Sequence, residues 1–129
     1  MRHAIIPNVK IAVVDHERLT REFVVNVMMY SVNREVLAFE DAAGIMAFFN
    51  SGQSADLVIT DVYLPDMNGL DLLKSIKKSS PHTFVIAMSA NPADEKSAAE
   101  LGADAFLAKP FVLQDLFAIV QKFVVEAKE

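Results

Sequence analysis

The sequence predicts an α/β fold in which a parallel sheet is covered on both faces by helices. Three observations carry this: five short apolar runs recur at fairly even spacing, amphipathic stretches separate them, and these units take up essentially the whole chain. The runs are continuous rather than alternating, the pattern required of strands buried on both faces. Strand and helix alternate five times, the signature of βαβ units and of a doubly wound sheet. Right-handed crossovers leave few topologies for such a chain.

The first strand is read at Ile11 to Val14. The helix after it lies between Glu17 and Tyr30, where Leu19, Phe23, Val27 and Tyr30 recur at spacings of three and four, the apolar stripe of a helix. Val36 to Phe39 is the second strand, followed by a weaker helix from about Ala42 to Asn50. Leu57 to Thr60 is the third, and Leu70, Leu73 and Ile76 form a stripe after Gly69. The fourth strand is Phe84 to Met88, and the helix after it runs from about Ala93 to Leu101 and is stopped by Gly102. Ala105 to Ala108 is the last strand, and Leu113, Leu116, Phe117, Val120 and Val124 mark the last helix before a polar close at Glu126 to Glu129. All five runs are expected to be buried. With no linker, repeat or low-complexity segment, residues 1–129 read as one domain with a core at about 10–124 and no effector domain.

A chain of 129 residues suffices for one ordinary domain with a real core. At 53% hydrophobic and 22% charged residues it can offset its ordering entropy by burial. A net charge of -5 and a pI near 5.1 argue against direct binding to nucleic acid or anionic lipid. Cysteine is absent, which excludes a disulfide framework, thiolate metal sites and a cysteine nucleophile, and fits a reducing compartment. The stretch from Met1 to Asn8 lacks the apolar run of a signal peptide, and no later stretch reaches the roughly 20 residues needed to span a bilayer. The expectation is a soluble cytoplasmic protein without a membrane partner.

Open α/β sheets bind ligands outside the carboxyl ends of their strands. Asp15, His16 and Glu17 stand after the first strand, Asp61 after the third, Ser89 after the fourth and Lys109 after the fifth. Each has a plainer reading: an Asp there is often a cap or turn former, and Ser89 could simply open a turn. Lys109 is harder to set aside, because it lies between an apolar run and Pro110-Phe111, where an ammonium needs a buried partner. Four polar exits at one sheet edge favour a site.

At these residues the chain resembles the receiver domain of bacterial response regulators. Val13-Val14-Asp15-His16-Glu17 is similar to the family's acidic-pair motif, and Leu57 to Asp61 with Leu64-Pro65 and Met67-Asn68-Gly69-Leu70 to its phosphorylation loop. Ser89-Ala90 resembles the hydroxyl-plus-small-residue step, and Gly102-Ala103 with Lys109-Pro110-Phe111 the last strand and its lysine. The resemblance runs from about Lys10 to Val124 and is strong in the order and separation of its motifs, not in any one of them.

It implies a flavodoxin-like sheet in the order 2-1-3-4-5 and a signalling switch of two-component systems rather than a classical enzyme, one that catalyses its own phosphorylation and dephosphorylation. Asp61 would attack a phosphohistidine on a sensor histidine kinase or phosphotransfer protein. Lys109 would neutralise phosphoryl oxygens and Ser89 would hydrogen-bond the acyl phosphate. Mg²⁺ would be held by Asp15, Asp61 and the backbone carbonyl of Tyr63, since each close pair of like charges there costs roughly 4 kcal/mol at 4 Å and an effective dielectric near 20. The response would pass through Ser89 and Phe106, the aromatic of the fifth strand, although an ordinary core Phe is the plainer reading of Phe106. Tyr63 and Asn91 occupy the positions that tune the lifetime of the phosphoryl group. A downstream effector protein or domain would read the switch; oligomeric state is open, a homodimer included. The Lys109–Pro110 peptide bond is expected to be cis.

The departure that matters is His16, where most receivers carry a second metal-binding carboxylate. Magnesium prefers oxygen, whereas imidazole suits zinc, copper, iron or nickel, so Mg²⁺ affinity should fall and His16 is the weakest member of the ligand set. Three readings follow: a working phosphoacceptor with weakened Mg²⁺, a pseudo-receiver acting as a phosphate-independent interaction module, or a transition-metal site of His16, Asp15 and Asp61. Glu17 reads as a first-turn helix charge, and His3 and His82 are assigned nothing. A small flavodoxin-like electron carrier lacks support, because acidic residues replace the phosphate cradle after the first strand.

Overall fold

The computed structural model describes residues 10–31 and 36–128; His3 and the stretch from Met1 to Asn8 lie outside them. Five strands, β1 (Ile11–Val14), β2 (Val36–Phe39), β3 (Leu57–Asp61), β4 (Phe84–Ser89) and β5 (Ala105–Ala108), alternate with five helices, α1 (Arg18–Ser31), α2 (Ala42–Asn50), α3 (Gly69–Ser79), α4 (Ala93–Glu100) and α5 (Leu113–Lys128). The strands pair in parallel in the order β2-β1-β3-β4-β5, as expected. No described helix is long and apolar enough to cross a membrane.

Alternating side chains feed two separate cores. Ile11, Val13, Leu57, Ile59, Ile86, Met88 and Leu107 meet α1 and α5 through Val24, Met28, Leu116, Val120 and Phe123. Ala12, Val14, Val58, Val85 and Ala87 meet α2, α3 and α4 through Ile45, Leu72, Leu73, Ile76 and Ala98. A fully buried Leu or Ile contributes about 1.5 to 3 kcal/mol, so the central strands β1, β3 and β4, buried along their whole length, supply most of the cohesion.

Three expectations need correction. β2 and β5 are only partly buried, because the sheet order places them at its edges, where each has one neighbour. On α1 the apolar row is rotated: Val27 of the expected stripe is buried, but Leu19 and Phe23 are 79% and 39% exposed and Val24 and Met28 are buried in their place. On α5, Leu116 and Val120 are buried as expected, but Leu113 and Phe117 are exposed and Phe123 is buried. Both helices carry two apolar rows three or four residues apart, and periodicity alone cannot say which row meets the sheet. The side chains of Tyr30 and Val124 lie outside what the structure describes.

Local chemistry sets the helix starts nearest the sheet's carboxyl edge. Asn68 caps α3 by accepting from the Leu70 N–H, and Asp41 caps α2 by accepting from the Gly44 N–H. Asp66 in the β3–α3 loop accepts from the N–H groups of Ala42 and Ala43 at 3.0 and 2.8 Å, tying that loop to α2, and these bonds hold its carboxyl below the ordinary value. Gly69 starts α3 directly behind β3, where a Cβ would come 2.2 Å from the Asp61 carbonyl oxygen and 2.6 Å from the Val62 Cα. Backbone cannot yield as a flexible side chain can. Gly69→Ala is therefore expected to cost about 2 kcal/mol or more in urea unfolding. Gly52→Ala, at φ 90 with nothing within 4 Å, should cost only about 1 kcal/mol, from left-handed strain alone.

Candidate functional site

The parallel register brings two carboxylates side by side. Val14 pairs with Thr60, so Asp15 and Asp61 occupy the next position on neighbouring strands, which lie about 4.8 Å apart. Asp15 and Asp61 also share the strand parity of Val13 and Ile59 and so belong to the face covered by α1 and α5. Lys109 continues the parity of Ala105 and Leu107 on the same face and follows Leu107-Ala108 through a chain held by its own N–H to the Ser89 carbonyl at 2.9 Å. Its peptide bond to Pro110 is cis.

The Lys109 ammonium bridges both carboxylates, at 2.8 Å from Asp15 Oδ2 and 3.4 Å from Asp61 Oδ1. Asp15 is wholly buried and has both oxygens engaged, since Oδ1 accepts the Glu17 N–H at 2.8 Å. Asp61 is the more accessible of the two, with 11% of its side chain exposed. Burial is the largest influence on the Asp61 carboxyl and raises it above its ordinary value; the Lys109 charge opposes this, Asp15 adds to it, and hydrogen bonds from Lys109 and the Tyr63 backbone N–H oppose it. For Lys109, burial lowers the ammonium, but the hydrogen bond and charge of Asp15, then of Asp61, outweigh it and hold it above the ordinary value. The two partners do not move as a simple ion pair would, because desolvation wins at Asp61 and attraction wins at Lys109.

Ser89 has the opposite parity. It follows Val85 and Ala87 on the face of α2, α3 and α4, is 1% exposed, and donates to Asp94 Oδ2 at 2.6 Å while accepting from the Asn91 N–H at 3.0 Å. Phe106 packs half-buried against that same core. Tyr63 is exposed, and its hydroxyl accepts from Asn91 Nδ2 at 3.3 Å, so the two loop residues meet over the edge of the sheet. His82 is exposed in the loop before β4, away from these residues.

His16 is exposed, and among the described residues no three His, Cys, Asp or Glu side chains are grouped to hold a metal ion. The transition-metal reading of His16 with Asp15 and Asp61 is thus not realised: Asp15 turns into the core while the next residue of the chain stays in solvent. Asp15 and Asp61 do offer oxygen donors suited to a hard dication, and Lys109 balances their charge. Glu17 accepts from the Thr20 hydroxyl but lies just before α1, whose first turn carries no acidic residue, so it is not the first-turn charge its plain reading expected.

Sequence reasoning passed over three residues. Arg21 reaches back from α1 to donate to the carbonyls of Asp15 and His16 at 2.9 and 3.4 Å, fixing the acidic loop. Asp66 ties the loop after Asp61 to α2, and Asp94 meets Ser89. The signal was charge within one loop or helical turn of a strand exit, which is too common on a surface to stand out. A further feature is a cleft of about 430 Å³ beside Lys109, lined by Leu19, Thr20, Phe23, Pro110 and Phe111 among others. The Phe23 and Phe111 rings lie 5.9 Å apart within it.

Residues 11–121 match the family model described as the response regulator receiver domain. The DNA-binding transcriptional regulator NtrC of Azospirillum brasilense is 39% identical over 114 residues, 87% of this chain and 23% of that protein. NtrC of Bradyrhizobium sp. (strain RP501 Parasponia) is 38% identical over 126 residues, 96% of this chain and 26% of that protein. The chain thus spans about a quarter of the length of these relatives. Among solved structures, the BeF3-activated DrrB receiver domain superposes with a TM-score of 0.79 at 29% identity, covering 91% of this chain and 97% of that one. NtrX from Brucella abortus does so with a TM-score of 0.84 at 29% identity, covering 93% of this chain and 27% of that one.

Two outcomes follow from the charge balance. Lys109→Met strands the buried Asp15 carboxylate without its cation and should cost about 3 kcal/mol or more in urea unfolding; a loss below about 1 kcal/mol would contradict the bridging role. For Asp61 the folded-state value lies above the unfolded one, so the stabilisation tied to its proton is present at acid pH and lost as pH rises through the folded value. Asp61→Asn is therefore expected to be more stable than wild type at pH 7, the margin shrinking as pH falls through the carboxylate range.

Proposed function

Because the chain belongs to the response regulator receiver domain family, we propose that it is a phosphorylation-dependent switch in which Asp61 accepts a phosphoryl group. Receiver domains act as signalling switches that interact with sensor kinases and effector domains. One observation carries the reading for this chain: of two adjacent carboxylates sharing one ammonium, Asp15 is fully buried with both oxygens engaged, and Asp61 keeps access to solvent.

In the proposed reaction an Asp61 carboxylate oxygen attacks the phosphorus of a phosphohistidine on a sensor histidine kinase or phosphotransfer protein. The P–N bond breaks, the imidazole leaves with the bonding pair and takes up a proton, and an acyl phosphate remains. Lys109 lies 3.4 Å from Asp61, close enough to shift toward the incoming oxygens as negative charge accumulates. Bound Mg²⁺ would add charge neutralisation at those oxygens, with Asp15, Asp61 and the Tyr63 carbonyl as its ligands. His16, in place of a second carboxylate, would weaken that binding. The hydrogen-bonded Tyr63 and Asn91 side chains would limit the approach of water to the acyl phosphate. The signal would then pass through Ser89 and Phe106 to an effector protein or domain.

The cleft supports the choice of donor. Its apolar wall of Leu19, Phe23 and Phe111 is continuous with Lys109, so a helix laid into it would present a phosphohistidine beside Asp61. The pseudo-receiver alternative rests on His16 alone.

The test is phosphorylation of wild type, His16→Asp and Asp61→Asn by acetyl phosphate with saturating Mg²⁺, read by intact mass. One phosphoryl group on the first two and none on Asp61→Asn is the expected result. Phosphate on His16→Asp but not on wild type would favour the pseudo-receiver, and phosphate on none would reject the phosphoacceptor reading. In calorimetric titration His16→Asp should bind Mg²⁺ on the order of tenfold more tightly, as ligand charge increases. Leu19→Glu should slow transfer from a phosphorylated kinase at least tenfold, the loss of about 1.4 kcal/mol of docking, and leave the acetyl phosphate rate unchanged.

A further inference from the structure

The Ser89 hydroxyl has one proton to give. It gives it to Asp94 Oδ2 at 2.6 Å, the length of a hydrogen bond to an ionised acceptor and of the stronger kind. Ser89 Oγ in turn accepts the Asn91 N–H, and the Asn91 side chain accepts from the Ala93 N–H at 3.1 Å. Ser89, Asn91 and Asp94 thus form one connected unit that includes the start of α4. Strand parity places it there: Ser89 falls on the side of Val85 and Ala87, away from the face that holds Asp15, Asp61 and Lys109.

We propose that Asp94 is a positioning residue that holds the Ser89 hydroxyl in its phosphate-free orientation, and that a phosphoryl group on Asp61 acts by taking that proton from Asp94. This rests on the phosphoacceptor reading and adds the contact that must break. A hydroxyl that donates to a phosphoryl oxygen cannot also donate to Asp94, so capture of Ser89 and release of Asp94 are a single event. Turning the hydroxyl also withdraws the acceptor of the Asn91 N–H, which loosens the turn leading into α4. That helix is lightly anchored. Ala98 is its one buried residue, whereas α3 buries Gly69, Leu72, Leu73 and Ile76. An element with so little buried apolar contact shifts at low cost, and α4 is accordingly the part of the surface that changes when the contact breaks.

The experiment compares wild type, Asp94→Ala and Asp94→Asn, each with and without acetyl phosphate and Mg²⁺, by the rate of phosphoryl gain in intact mass and by amide NMR spectra. In phosphate-free Asp94→Ala, the Ser89, Asn91 and α4 amide signals should move part of the way toward their positions in phosphorylated wild type. The rate of phosphoryl gain should rise about fivefold, the low end of typical coupling between sites. Asp94→Asn keeps an acceptor oxygen for Ser89 and should fall between wild type and Asp94→Ala on both measures; it carries the same test should Asp94→Ala fail to fold. Wild-type rates and signal positions in both variants, with wild type taking phosphate normally, would overturn the proposal and leave the phosphoacceptor reading standing. No phosphate on wild type or on either variant would reject that reading and the proposal together.

Discussion

Two carboxylates at the same register on adjacent parallel strands need a cation between them, and Lys109 is that cation. Asp15 and Asp61 are a consequence of β1 and β3 lying side by side, and their repulsion is a fixed cost of this architecture. The ammonium comes from 94 residues beyond Asp15 in the sequence, at the end of the last strand. The charge at the edge is therefore balanced only once β5 has joined the sheet beyond β4. Closure of the fold and neutralisation of the site are one condition, and Arg21, clamping the Asp15 and His16 carbonyls from α1, holds the acidic loop where that condition can be met.

Strand parity then divides the labour. Side chains of odd position on β1, β3 and β5 face α1 and α5, and they end in Asp15, Asp61 and Lys109. On β4 the parity that ends in Ser89 faces the other core, as does Phe106 on β5. The electrostatic partners of Asp61 and the residues proposed to respond to it, Ser89 and Phe106, thus sit on opposite sides of a sheet one residue thick. In the proposed switch, charge added to Asp61 would reach Ser89 without passing through the packed interior of either core, and the helix nearest Ser89 is the one with least buried contact.

Much of this was legible in the sequence, for reasons that also explain what was not. Continuous apolar runs on β1, β3 and β4 reflect burial on both faces, and the polar residues after them reflect the one edge where burial ends. Lys109 could be singled out because an ammonium between an apolar run and Pro110-Phe111 has few places to go. The half-exposed edges β2 and β5 could not be distinguished from the centre, since apolar content reports what a strand can bury and not how many neighbours it has. Leu19 and Phe23 read as core beside Val27 because α1 offers more than one apolar row, and only the packed sheet chooses Val24 and Met28. Arg21, Asp66 and Asp94 escaped notice because each acts across a loop, where reach is set by backbone conformation and not by spacing.

The unequal sharing of Lys109 is what gives the two carboxylates different characters. The ammonium sits 2.8 Å from Asp15 and 3.4 Å from Asp61, so the stronger attraction goes to the residue that is wholly buried. Asp61 receives the weaker share, and burial leaves its carboxyl raised above the ordinary value despite Lys109. A carboxylate that is under-neutralised, partly accessible and beside a movable cation gains more from an incoming electrophile than one whose oxygens are already committed. The same cation can follow the charge from Asp61 to a transferred group while Asp15 stays in contact, since the Lys109 stem is flexible and its ammonium has three donors. Asp15 is thus better suited to anchor Lys109 than to react, which is why the proposed reaction is assigned to Asp61.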